Sequence, residues 1–152
     1  MLTSCSRITI AGVEYYFGYA HHDSDLTCQD FRSRANMWDQ SRYALRFFAD
    51  NQVPFQDMTN DNSRVSNGNW CLVERSKGST IVVYLKSGGT ADIDLTGLGS
   101  STNPDETSVS VDWYDPRNGG NLQKGSVTAL QFGYTQSLGD APSDGEKDWV
   151  VL

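Results

Sequence analysis

The chain has 152 residues with 38% hydrophobic side chains, enough for about one domain with a real core. Its formal net charge is −7, and most of that lies in residues 54–152, where seven Lys and Arg face thirteen Asp and Glu. Without a basic stripe the chain lacks the electrostatic footprint of a nucleic-acid or anionic-membrane binder, and no apolar run approaches the roughly 20 residues that span a bilayer.

In chain order, Met1–Ile10 lacks the continuous apolar stretch of a secretory signal, so the residues leave the compartment open. Ile8–Tyr19 is an apolar, aromatic, β-prone run with hydrophobic residues on both faces, the pattern of a strand buried on both sides in an α/β sheet. With Val13, Tyr15 and Phe17 on one face, Glu14 and Tyr16 fall on the other. His21-His22-Asp23-Ser24-Asp25 gathers imidazoles and carboxylates, but adjacent histidines in a loop seldom converge on one ion, and no metal is assigned. Cys5, Cys28 and Cys71 are odd in number and widely spaced, which supports neither a disulfide framework nor a zinc site.

Residues 25–50 read as a helix. Thr27-Cys28-Gln29-Asp30 fits a capping box, and Phe31, Ala35, Trp38, Leu45 and Phe48 recur at three- and four-residue steps as one apolar stripe. Asp50-Asn51-Gln52 and the Val53-Pro54 bond close it. Residues 55–68 read as a connector. Beyond them the helical period vanishes, and Trp70–Glu74, Thr80–Lys86, Thr90–Leu95, Ser108–Tyr114, Val127–Phe132 and Trp149–Leu152 read as strands between Gly-, Ser- and Asn-rich turns. Ser87-Gly88-Gly89 has the look of a hairpin turn.

The stretch Trp113–Gly120 is the most explicit. Val109, Val111 and Trp113 alternate with Ser110, Asp112 and Tyr114. Pro116 then ends the strand, and Asn118, Gly119 and Gly120 tolerate a reversing loop. By phase Trp113 belongs to the core and Tyr114 to the surface, which makes Tyr114, with Arg117 beside it, a candidate ligand contact. Pairing of Arg117 with Asp115 is an equal alternative. Tyr84, in the most apolar strand, reads as a core residue, and Trp70 and Trp149 are either core aromatics or part of a binding surface. The fold class expected is mainly β: an antiparallel β-sandwich preceded by one strand-helix unit.

A strand-helix unit leading directly into a small acidic sandwich resembles the C-terminal part of apiosidase-like (DUF4038-type) glycoside hydrolase proteins, whose terminal sandwich is described as a collagen-binding domain. Gly12–Gly18 and Asp30–Trp38 resemble the last strand and helix of a (β/α)8 barrel. Trp70-Cys71-Leu72, Val82–Leu85, Val111–Gly119 and Asp148–Leu152 resemble the sandwich. The resemblance implies a remnant of the barrel over 1–53, a sandwich over 54–152, and an extracellular setting for the whole family. It also implies a missing barrel as intramolecular partner and polysaccharide or collagen as candidate ligands. A barrel needs on the order of 250 residues, and its catalytic carboxylates come from several strand ends, so no catalytic residue transfers to this chain. Glu14 and Tyr16 are the candidate substrate contacts at the barrel mouth. No cofactor is implied. The functional expectation is a non-catalytic ancillary domain that stabilises the barrel or binds an extracellular polymer. The alternative is a free-standing carbohydrate- or collagen-binding module.

Overall fold

The computed structural model describes residues 35–75, 79–99 and 107–152. The expectations for Glu14, Tyr16, the histidine pair, Cys5, Cys28 and the N-terminal strand lie outside them.

Helix α1 spans Ala35–Asp50. It ends in a Schellman-type turn: the Val53 amide donates to the Phe48 carbonyl at 2.9 Å and the Gln52 amide to that of Ala49 at 3.2 Å. Gln52 takes the left-handed position (φ 52°) usually given to glycine, and Asn51 Nδ2 satisfies the Phe47 carbonyl at 2.8 Å.

The strands are β1 (Met58–Asn60), β2 (Trp70–Glu74), β3 (Ile81–Leu85), β4 (Asp92–Asp94), β5 (Ser108–Ser110), β6 (Trp113–Tyr114), β7 (Ala129–Gln131), β8 (Thr135–Ser137) and β9 (Trp149–Val151). Pairing is antiparallel throughout these strands. One layer is a five-stranded sheet in the order β1-β2-β3-β9-β6, and the other consists of two short pairs, β4-β8 and β5-β7. The protein is therefore mainly β, a sandwich with a helix on its N-terminal side.

The large sheet is buried on both faces, which the period of two along its strands makes visible. Ile81, Val83 and Leu85 of β3 join Cys71, Val73, Trp113, Trp149 and Val151 in the core between the layers. The intervening Val82 and Tyr84 join Tyr114, Val150, Met58 and Val53 on the opposite face, where Phe47 of α1 closes over them. All five residues of β3 are consequently buried.

Four expectations change. Tyr114 does point away from Trp113, but it is not a surface residue: the opposite face is roofed by the helix and Tyr114 is 3% exposed. The helix face is also rotated from the expected stripe. Gln40, Ala44 and Phe47 are its buried residues, whereas Ala35 and Trp38 are exposed and Leu45 is 71% exposed. The part of the helix that packs on the outer cluster is Phe47, with Tyr43 and Phe48 partly buried beside it. Ser87-Gly88-Gly89 is not a hairpin turn, because β3 pairs with β2 and β9 while β4 pairs with β8. Its three successive left-handed residues (φ 65°, 67° and 83°) carry the chain from one layer to the other. Ser108–Tyr114 is not one strand either. It bends at Val111-Asp112, so β5 belongs to the small layer and β6 to the large sheet, as at a sandwich corner.

Two elements were missed. The connector contains edge strand β1, in which Met58 alone is buried, and β8 is a polar strand with no apolar alternation to reveal it.

Candidate functional site

The region richest in chemistry lies where the 115–122 loop meets the C-terminal half of α1. Trp113 and Gln123 exchange backbone hydrogen bonds of 2.7 Å in both directions, so the chain between them reverses as the turn residues require. Inside the reversal the Gly119 amide donates to the Asp115 carbonyl at 2.9 Å. Gly119 has φ 71°, and a Cβ there would come within 2.6 Å of the Tyr43 ring, so only glycine lets the turn approach the helix this closely.

Asp115 organises the turn. Its Oδ1 accepts from the Arg117 backbone amide and from Arg117 Nε, and its Oδ2 from Arg117 Nη2, each at 2.8 Å. Asn118 Nδ2 adds a fourth bond at 2.9 Å. Both side chains are largely buried, 13% exposed for Arg117 and 11% for Asp115. Burial by itself pushes the Asp115 carboxyl up. The bonds from Arg117 and Asn118 outweigh it and hold the group below the usual carboxylate range. The same partner raises Arg117 further. The guanidinium also lies over the Trp149 ring, 5.4 Å from its centroid, and Nη1 approaches Asp144 at 3.5 Å. Arg117 is thus built into the turn through its planar fork, with Asp115 in the place a ligand carboxylate would occupy.

Tyr114 is held equally firmly. Its hydroxyl donates to the main-chain carbonyl of Tyr43 at 2.9 Å, and its ring lies 5.0 Å from that of Phe47. Burial, followed by the nearby Asp50 carboxylate, pushes the phenol up to about 12. On the inner face Trp113 and Trp149 meet edge to face at 6.1 Å, and Trp70 packs on Tyr84 on the outer face. Tyr84 also donates to Asp148 at 2.6 Å.

Between the helix end and the loop runs a cleft of about 490 Å³. Arg46, Asp50 and Asn51 border it from the helix and Asn121 from the loop, while Phe47, Tyr114 and Leu122 form its apolar part. Reading the sequence overlooked it, because its two walls are about 70 residues apart and neither carries a recognisable motif. Among the described residues, no group of three or more His, Cys, Asp or Glu could hold a metal ion. No helix there is long and apolar enough to cross a membrane.

The class these features define is an antiparallel β-sandwich with a helix latched onto the outer face of its larger sheet. A family model described as "Putative collagen-binding domain of a collagenase" matches residues 53–152, and the chain belongs to that family. Among solved structures, the chain is similar to one described as a glycoside hydrolase, with a TM-score of 0.60 and 13% identity. That match covers 89% of this chain and 29% of the other, so the chain spans less than a third of the length of the protein it resembles. Among curated proteins nothing matches.

Proposed function

We infer that this chain is the non-catalytic, C-terminal ancillary part of a glycoside-hydrolase-like protein, in which residues 54–152 form a sandwich that anchors the strand-helix unit of residues 1–53. The observation that carries this reading is the placement of the aromatics. Tyr84 and Tyr114 are buried in the outer cluster with Phe47 of the helix, and Trp70 packs half-buried on Tyr84 beside them, instead of forming an open platform for a polymer. Aromatics buried against a helix serve packing, whereas a polymer-binding surface needs them exposed. The beginning of the family match at residue 53, next to the helix end, supports the division into two parts.

The helix also has apolar groups to spare. Leu45 and Phe55 are exposed, and with Phe48 and Ala49 they border a largely apolar groove of about 680 Å³. Exposed apolar area of this kind suits a further packing partner. The rest of a barrel fits that need, because the structural relative is more than three times as long as the matched part. Sandwich and barrel would then share α1, which stabilises each through a different side.

The alternative of a free-standing carbohydrate- or collagen-binding module draws on the family description. Amide hydrogen exchange on the 152-residue chain separates the two. Anchoring predicts that α1 amides from residue 40 to 50 are protected together with those of β3, and that Phe47→Ala releases them while the sheet stays protected. An α1 that exchanges like a free peptide in the unaltered chain would refute the anchoring role. Turnover of an aryl glycoside or of collagen by the purified chain would refute the non-catalytic one.

A further inference from the structure

Two Asn-Gly dipeptides occur in the sequence, Asn67-Gly68 and Asn118-Gly119, and the fold treats them in opposite ways. An asparagine followed by glycine is prone to self-modification, because no side chain shields the following backbone nitrogen from the asparagine amide carbon. Reaction needs a nitrogen whose proton can leave and a side-chain carbon free to approach it.

At Asn118 both are denied. The Gly119 amide donates to the Asp115 carbonyl and Asn118 Nδ2 to Asp115 Oδ2, each at 2.9 Å, and the turn lies so close to Tyr43 that a Cβ on Gly119 would come within 2.6 Å of the ring. At Asn67 the restraints are few. Among the described residues the Gly68 amide makes no hydrogen bond. Asn67 and Gly68 are both exposed, each with φ 62°, the two successive left-handed angles of a type I′ turn. The bond that closes this turn, from the Asn69 amide to the Ser66 carbonyl, is long at 3.4 Å, and Asn67 Nδ2 adds one to the Thr90 carbonyl at 3.1 Å. The flanks are held separately: Ser66 exchanges bonds with the Asp92 main chain through its amide and hydroxyl, and Asn69 Oδ1 accepts from the Lys86 amide.

Lys86 supplies a charge at the same place. Its Nζ stands 3.3 Å from where a Cβ on Gly68 would lie, over the Trp70 ring, and it forms no ion pair among the described residues. A cation beside Gly68 favours loss of the amide proton and stabilises the negative oxygen of the addition intermediate.

We propose that Asn67-Gly68 is a site of spontaneous deamidation promoted by Lys86, and that the fold protects the same dipeptide at Asn118-Gly119. The Gly68 nitrogen gives its proton to hydroxide and attacks Cγ of Asn67. A five-membered imide ring closes through the new N–C bond as the Cγ–Nδ2 bond breaks, and the departing nitrogen takes a proton from water to leave as ammonia, which regenerates the hydroxide. Water then adds to either ring carbonyl and opens the ring to aspartate or isoaspartate. The sum is asparagine plus water giving the acid plus ammonia, with no change of oxidation state. The bond to the Thr90 carbonyl is lost and a carboxylate appears beside Lys86. All these residues belong to the sandwich segment, so the assignment does not depend on how α1 docks.

The test is incubation of the purified 152-residue chain at mildly alkaline pH, native and in denaturant, followed by mildly acidic tryptic digestion and mass spectrometry. Asn67 falls in peptide 65–75 and Asn118 in peptide 118–124. In the native protein peptide 65–75 should show the amide-to-acid mass increase, placed at Asn67 by fragmentation and split into aspartate and isoaspartate forms, while peptide 118–124 stays unchanged. In denaturant both should convert. Lys86→Gln should slow the native conversion at Asn67 about two- to five-fold, Lys86→Arg should keep the original rate, and added salt should shrink the difference. Absence of conversion at Asn67, native conversion of Asn118 at a matching rate, resistance of Asn118 that persists in denaturant, or an unaltered rate in Lys86→Gln would overturn the proposal.

Discussion

The Tyr114 hydroxyl donates a 2.9 Å hydrogen bond to the main-chain carbonyl of Tyr43, joining strand β6 to the middle of helix α1 across 71 positions of sequence. Because Tyr114 sits beside Trp113 in the same strand, one dipeptide serves two cores: Trp113 fills the space between the layers and Tyr114 fastens the helix outside them. The helix is therefore fixed to the sandwich by a specific polar bond as well as by apolar contact.

The latch should make the protein sensitive to alkali. The folded Tyr114 phenol lies near 12 against an ordinary value of 10. An unfolded chain therefore loses that proton first as pH rises. Stability is full below about pH 10 and falls from there to about pH 12, by roughly 2–3 kcal/mol for this group. Denaturant unfolding at pH 8, 10 and 11.5 measures the fall. Tyr114→Phe should be less stable at pH 8 by about 1 kcal/mol, for the lost hydrogen bond, and should show a shallower alkaline decline. An unchanged slope would mean another group is responsible.

The helix face can be tested by truncating one residue on each side. Phe47 is 3% exposed and packs on Tyr114, so Phe47→Ala should cost about 3–5 kcal/mol. Leu45 is 71% exposed, and Leu45→Ala should stay within about 0.5 kcal/mol in this chain. Comparable losses in thermal unfolding would place the docked face where the apolar periodicity put it.

Removing Arg117 strands a buried carboxylate. Arg117→Ala should cost about 3–5 kcal/mol at neutral pH, as for a broken buried ion pair, and Arg117→Lys should recover only part of this because an ammonium cannot reproduce the two-pronged contact. The pH dependence gives a second reading. In the unaltered chain the depressed Asp115 contributes stability that is present above the ordinary carboxylate pKa and lost as pH falls through its lower folded value. In Arg117→Ala that acid-side loss should disappear, so the gap between the two proteins should narrow as the pH is lowered towards 3.

Cys71 offers a probe of the inner core. It is fully buried, and burial, assisted by the charge of Asp61, pushes its thiol up to about 12. Thiolate is the reactive form, so Cys71 should resist alkylation in the folded protein at pH 8 and react once denaturant opens the sandwich. Peptide mapping after iodoacetamide treatment measures this, and rapid native labelling at Cys71 would contradict the packing.

Much of this architecture was legible in the residues. The β-prone apolar runs at β2, β3 and β9, the reversal at Pro116–Gly120 and the helix end at Val53-Pro54 are local matters of side-chain type and backbone angle, which sequence expresses directly. β1 and β8 were not legible, because each is held by backbone pairing with a neighbour and shows little hydrophobic pattern of its own. Alternation also separated Trp113 from Tyr114 correctly, yet it could say only that they face opposite ways.

Which of those ways is wet depends on what covers the sheet. Composition and periodicity by themselves determined a mainly β protein with a preceding amphipathic helix and an acidic surface. Tertiary packing decided that the helix lies on the outer face, that Phe47 rather than Trp38 or Leu45 packs there, and that Tyr114 is a latch. Packing also brought Asp50 and Asn121 to one cleft. A period specifies a face relative to its neighbours in the chain, whereas burial is a relation between segments far apart in it.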